Sequence, residues 1–182
     1  KTINQKWNFK ELSKQSYIPF DAIINNYDKD WDFEEISNND TFYINDFVPN
    51  NIELLLELIN NTKNRGWNFK IISVKLKKYE NCYGFTDYNR IKRFIIKNID
   101  IGWDFNILSQ MEFASELYLL FPNKDWSVSD ICLNPLFNIN NIDKNPDLYW
   151  DWSVLSIPRY MAKYPITFEF YHKYSHKPWW ME

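Results

Sequence analysis

Trp31-Asp32-Phe33-Glu34-Glu35-Ile36-Ser37 recurs along this chain. It returns as Trp7-Asn8-Phe9-Lys10-Glu11-Leu12-Ser13, then from Trp67 to Ser73 and from Trp103 to Ser109. Looser copies run from Trp126 to Cys132 and from Trp150 to Ser156. The shared pattern is Trp, a short polar residue, an apolar residue, two variable positions, Leu or Ile, and usually Ser. Such self-similarity marks stacked supersecondary units and comes before any other reading of the chain.

The second motif position holds Asn8, Asp32, Asn68, Asp104, Ser127 or Asp151. Each can act as a helix N-cap, its side-chain oxygen accepting from an orphan backbone N–H. The preceding Trp then lies at N′ and the Leu or Ile at N4, the two positions of a hydrophobic staple. Glu11, Glu35 and Asp130 fall at N3, where they predict a capping box or its shorter imitation. Each copy therefore reads as the start of a short helix. Trp7, Trp31, Trp67, Trp103, Trp126 and Trp150 are expected to pack in the core, with Asp32, Asp104 and Asp151 as caps.

A second apolar stretch follows each copy. Ile18-Pro19-Phe20-Asp21-Ala22-Ile23 keeps a helical stripe, with Pro19 suited to the first turn. A polar Asp28-Lys29-Asp30 loop leads from it to Trp31. Ile166-Thr167-Phe168-Glu169-Phe170-Tyr171 repeats that layout before Trp179, which opens a partial further unit. The spacings between motif Trp residues are 24, 36, 36, 23, 24 and 29. The two longest units hold longer helical stretches, Pro49 to Asn60 and Asp87 to Lys97. A unit of about 24 residues cannot bury its own apolar face, and stacking on neighbours solves that problem. The expected fold is all-α, a solenoid-like array of short helix pairs. It forms one repeat domain over residues 1–182, with about six units starting near 7, 31, 67, 103, 126 and 150. The short strand-like run Phe42-Tyr43-Ile44 is set aside.

The phrases Trp31-Asp32-Phe33-x-x-Ile36-Ser37, Trp150-Asp151-Trp152-x-x-Leu155-Ser156 and Ile166-Thr167-Phe168-Glu169 through Lys177-Pro178-Trp179 resemble a tandem repeat of mimivirus-like giant DNA viruses. Arrays of that kind alternate WDWxxLSxNPNITW and NPDKPW phrases, and similar repeats occur in some bacteria. The resemblance covers nearly the whole chain. It implies a viral repeat scaffold and carries no catalytic residue to transfer. The chain departs from the pattern in its two long units and at Trp126, where Val128 and Cys132 replace the aromatic residue and the Ser.

Composition limits the function. The chain has 182 residues, 45% hydrophobic and 25% charged, enough for a sizeable core and against general disorder. Mean hydropathy is -0.53 and no apolar stretch reaches membrane length. A net charge of -3 argues against a protein built mainly to coat nucleic acid. Three glycines leave few tight turns for a many-hairpin β fold. The abundance of Asn, Ile, Lys, Tyr and Phe fits an AT-rich genome. Cys82 and Cys132 lack paired spacing, so neither a disulfide framework nor a zinc finger is expected, and a reducing compartment (host cytoplasm) or a virion fits. The chain begins at Lys1 with no signal-peptide pattern, which leaves open that it is a piece of a longer protein.

Residues with catalytic or metal-binding chemistry are sparse and scattered in this chain. Glu169, His172 and His176 have helical spacing for a metal triad, but they read better as surface residues. Cys82 sits in Glu80-Asn81-Cys82-Tyr83-Gly84, read as a loop, without a neighbouring base to activate it. No phosphate loop, nucleophile elbow or kinase signature occurs. No catalytic residue, metal or cofactor is therefore expected. Lys75, Lys77, Lys78, Arg90, Lys92, Arg93 and Lys97 gather in one unit, interleaved with Tyr79, Tyr83 and Tyr88. Basic residues among aromatics can mark a nucleic-acid surface, although a solvated helix face explains them too. Lys77, Lys78, Arg90, Arg93 and Lys97 are the candidate partner-binding residues. The expected role is a non-enzymatic scaffold with a protein partner. The alternatives are a virion component, nucleic-acid binding through residues 75–97, or an enzyme with its catalytic part elsewhere.

Overall fold

The structure is a computed structural model. It describes residues 7–39, 49–83, 88–157 and 166–179, with the backbone alone for 49–51 and 81–83. The described residues are all-α, with helices and no strand. The run Phe42 to Ile44 lies outside them.

Chain contacts divide the protein into two compact units, Lys1–Asp104 and Phe105–Glu182. The first holds α1 (Phe9–Leu12), α2 (Phe20–Ile24), α3 (Phe33–Asn38), α4 (Pro49–Thr62), α5 (Phe69–Tyr83) and α6 (Tyr88–Lys97). The second holds α7 (Phe105–Leu108), α8 (Ala114–Leu120), α9 (Val128–Leu133), α10 (Asn140–Lys144), α11 (Trp152–Leu155) and α12 (Phe168–Lys173).

Motif helices and following helices alternate along the chain. In the first unit the motif helix α3 packs on the motif helix α5, and the following helix α4 packs on the following helix α6. In the second unit the motif helix α9 packs on the motif helix α11. Like helices therefore meet across copies.

Caps form as the sequence dictates. Asn8, Asp32, Ser127 and Asp151 each stand at an N-cap, the side chain accepting from the N–H three residues on. Asn68 Oδ1 accepts from the Ile71 N–H at 3.2 Å in the same way. The expected capping box is not made. The cap N–H that Glu35 would have to reach is donated instead from Asp32 to Ser13 Oγ at 2.9 Å. The corresponding N–H of Ser127 goes to Ser109 Oγ, also at 2.9 Å. Glu11 turns to Lys14 Nζ at 2.9 Å.

The two long units lengthen in different places. After Trp31 the motif helix α3 stays short and α4 is the long helix, 14 residues. After Trp67 the motif helix itself runs on to 15 residues as α5. Cys82 is thus on the backbone of a helix rather than in a loop, because nothing from Phe69 to Tyr83 breaks the helix. Gly66 and Gly102 immediately precede the Trp of the two copies that follow long helices. Their φ values of +87° and +84° make the left-handed turn that glycine adopts most readily.

The cores are built from the motif. Ile36 and Ile72 are fully buried in the first unit, and Leu108, Ile131 and Leu155 in the second. Trp31, Trp67, Trp103 and Trp150 are all at most 6% exposed. Trp126 is only half-buried, and Trp7 is 60% exposed.

Candidate functional site

The motif residues do more than start helices. They form the junctions between consecutive copies, and three kinds of link recur there.

The first link is the motif Ser. Its hydroxyl donates one turn back, to the Phe9, Phe33, Phe69, Phe105 or Trp152 carbonyl, at 2.6–2.9 Å. The oxygen is then placed to accept the cap N–H of the next copy. Asp32 donates to Ser13, Asn68 to Ser37 at 3.0 Å and Asp104 to Ser73 at 3.1 Å. In the second unit Ser127 donates to Ser109. Cys132 holds the same place in the looser copy, and its sulfur accepts from the Asp151 N–H. Burial pushes the Cys132 thiol up to about 12, so it stays a neutral acceptor and no nucleophile. The hydroxyl satisfies a backbone N–H that the helix cannot.

The second link is aromatic. The third motif residue places its ring against the next Trp. Ring centroids lie 4.9 Å apart for Phe9 and Trp31, 4.8 Å for Phe33 and Trp67, and 5.2 Å for Phe69 and Trp103. The second unit has 4.9 Å for Phe105 and Trp126 and 5.1 Å for Trp152 and Trp179. Edge and tilted contacts of this kind are favourable beyond their burial. Each indole also ties itself to the helix before it. The Nε1–H of Trp31, Trp103, Trp126, Trp150 and Trp179 donates to the carbonyl five residues earlier, at 2.7–3.0 Å. Trp67 donates instead to Thr62 Oγ1 at 3.0 Å.

The third link was not legible in advance. Two residues after the motif Ser, the side chain reaches the carbonyl at the same place in the previous copy. Asn39 Nδ2 donates to the Gln15 carbonyl. Lys75 Nζ donates to the Asn39 carbonyl at 2.8 Å, and Asn134 Nδ2 to the Met111 carbonyl at 2.6 Å. Arg65 is a further unforeseen clamp. Its guanidinium donates to the Tyr27 and Lys29 carbonyls and lies 4.8 Å over the Phe33 ring. Lys75 and Arg65 read as surface charge because nothing local reveals a carbonyl partner more than thirty residues away.

The basic residues are largely engaged inside the first unit. Lys75 makes the junction bond, and Lys77 pairs with the buried Glu80 at 2.8 Å. Arg90 pairs with Glu53 of α4 at 3.3 Å, and Arg93 donates to the Asn89 carbonyl at 3.0 Å. Lys92 sits 5.1 Å over the Tyr88 ring. Arg90, Arg93 and Lys97 are exposed and share one face of α6, while Lys78 is exposed on α5. Tyr79 is 2% exposed and so cannot present its face to a base.

His172 lies in the last turn of α12, while His176 lies beyond that helix, so helical spacing does not unite them. Both are exposed, as is Glu169. Among the described residues no group of three or more His, Cys, Asp or Glu is placed to hold a metal ion. No described helix is long and apolar enough to cross a membrane.

Two carboxylates anchor the second unit. Burial pushes the Asp151 carboxyl up, but the Ser129 and Ser153 hydroxyls and two backbone N–H groups outweigh it and hold the carboxyl below the usual range. Asp143 is held low by Lys173 Nζ and by the Tyr174 hydroxyl, both at 2.7 Å. Both carboxylates join one helical segment to another, and Asp151 also lines an open groove of about 350 Å³ with Tyr149, Trp152 and Lys177. Comparison with family models, curated proteins and solved structures gives no match.

Proposed function

We propose that the chain is a solenoid-like array of about six helix pairs that serves as a non-enzymatic scaffold for another protein. The observation that carries this reading is the junction chemistry. In each unit the hydroxyl or thiol of one copy accepts the cap N–H of the next. A chain whose polar motif atoms are used this way gains copy-on-copy stacking and extended surface, which is how solenoids bind. The exposed basic face of α6, with Arg90, Arg93 and Lys97, is the part of that surface suited to an acidic protein partner. The resemblance to giant-virus repeats adds a viral source, with a minor virion component as the alternative role. The buried thiol of Cys132, which is in no disulfide, fits a reducing compartment.

Nucleic-acid binding through residues 75–97 is the weaker reading, because Tyr79 is buried and Lys75, Lys77 and Arg90 have protein partners. Capture of the tagged chain from its native cells, with and without nuclease, separates the two. The expected result is a stoichiometric protein that survives nuclease. Recovery of nucleic acid alone, with affinity falling steeply as salt rises, overturns the scaffold reading.

A further inference from the structure

The groove beside Asp151 is lined by side chains that the repeat does not need. Tyr149 stands directly before the motif Trp150, where earlier copies carry Lys, Asp or Gly. The fold uses its backbone carbonyl, which accepts from the Tyr118 hydroxyl at 2.7 Å. Its side chain is left 70% exposed. Ser153 is also exposed, and its hydroxyl donates to Asp151 Oδ1 at 2.5 Å, so the Ser153 oxygen remains able to accept. Asp151 Oδ2 takes the Ser129 hydroxyl and keeps a second acceptor site. The half-buried Lys177 holds its ammonium 5.9 Å over the Trp152 ring. No carboxylate pairs with Lys177 among the described residues. With Trp152 and Pro178 these residues line an open groove of about 350 Å³. That is the small end of the range for ligand sites, which combine apolar walls with a few placed polar groups.

The charges select the ligand. The groove carries one carboxylate and one ammonium, so they balance. A phosphate or other anion would meet Lys177 but also the like charge of Asp151, and a cation would meet the reverse. A wholly apolar ligand would desolvate the carboxylate, the ammonium and the Ser153 hydroxyl without replacing their hydrogen bonds with water. What remains is a neutral molecule with an apolar face for the Tyr149 ring and hydroxyls around its edge. A hexopyranose has that form. Its C–H groups carry slight positive charge and suit the negative face of an aromatic ring. Its hydroxyls donate to a carboxylate and accept from an ammonium with the same atoms. We infer that this groove holds a neutral hexose unit of a glycan, its C–H face on Tyr149 and its hydroxyls on Asp151, Ser153 and Lys177. The inference goes beyond the scaffold reading and does not depend on it.

The probe is an array of immobilised glycans of two kinds. Neutral ones end in glucose, galactose or mannose, and acidic ones end in sialic acid or a phosphate ester. The labelled full chain should be retained by neutral glycans. The retained glycan is then titrated in solution as the free oligosaccharide, and saturation-transfer NMR should show the protons of one sugar face nearest the protein. Tyr149→Ala should weaken binding by about tenfold or more, whereas Tyr149→Phe, which keeps the ring, should change it by about threefold at most. The melting curve of Tyr149→Ala should match the parent's, because the lost side chain is exposed and the carbonyl that Tyr118 uses is kept.

Lys177→Met gives a second test away from the Tyr118 bond. It keeps the apolar stem, removes the ammonium and should also weaken binding by about tenfold. Retention of no neutral glycan, or of acidic glycans alone, overturns the proposal. So does equal affinity of the parent and both variants, which would place the sugar elsewhere on the chain.

Discussion

The copy that begins at Trp67 and the copy that begins at Trp150 receive the same support from different residues. Trp67 is met by Phe33 of the preceding copy, and the Asn68 N–H by Ser37. Before Trp150 the preceding copy offers only Val128 and Cys132, neither of which matches the pattern. The second unit supplies the rings from elsewhere, with Tyr118 at 5.3 Å and Phe137 at 5.6 Å. Its acceptor is the Cys132 sulfur, and Asp151 gains an added hydrogen bond from the Ser129 hydroxyl. A junction therefore requires a ring beside the indole and a neutral acceptor beside the cap N–H. It does not require Phe and Ser.

If that is right, the two indoles should be worth similar amounts. Trp67→Ala and Trp150→Ala, at 6% and 1% exposure, should each cost about 3–5 kcal/mol in urea denaturation. A cost below about 1 kcal/mol at Trp150 alone would show that Tyr118 and Phe137 do not replace the motif ring. The acceptors should differ more. Ser37→Ala leaves the Asn68 N–H unsatisfied in a partly buried junction and should cost about 1–3 kcal/mol. A neutral Ser37→Ala would mean that the recurrent hydroxyl is incidental, and the comparison would fail.

Much of this was legible from the chain itself. The Trp spacing and the cap residues mark every motif helix, since both depend on local backbone chemistry. The capping box was misread at Glu35 because the sequence does not show that Ser13 already takes the Asp32 N–H. Likewise Cys132 reads as a small packed residue, and its acceptor role emerges only when Asp151 is brought to it from nineteen residues away. The loop reading of Cys82 relied on nearby Gly84, yet the helix continues through Tyr83. The basic cluster was visible as composition, but Lys75 and Arg90 find their partners only through tertiary contacts.

Acid should separate the junctions further. The Asp151 carboxyl is held below its usual range, so the fold prefers its charged form. The stability this contributes is present above the ordinary carboxylate value of about 4 and is lost as pH falls through the lower folded value. Asp151→Asn keeps the Oδ1 acceptor for the Val154 N–H and removes the titration. It should cost under about 1 kcal/mol at neutral pH, mainly the charge at the start of α11. Its melting temperature should fall less steeply than the parent's below pH 4. An identical acid slope would place the sensitivity at Asp143, which is also held low.

The smallest expected change is the most direct probe of the comparison. Cys132→Ser restores the motif residue at a fully buried position. The new hydroxyl would donate to the Val128 carbonyl, one turn back, and accept the Asp151 N–H more strongly than sulfur does, a gain of about 1 kcal/mol. Against it stands the exchange of sulfur for a smaller, more polar oxygen among Ile131, Trp150 and Leu155, a loss of similar size. The net effect should therefore lie within about 0.5 kcal/mol of zero, whereas Cys132→Ala, which orphans the N–H, should cost about 1–3 kcal/mol. Should Cys132→Ser cost as much as Cys132→Ala, the sulfur is there for packing. The junction at Trp150 would then be a different device from the one at Trp67, not the same device made from other atoms.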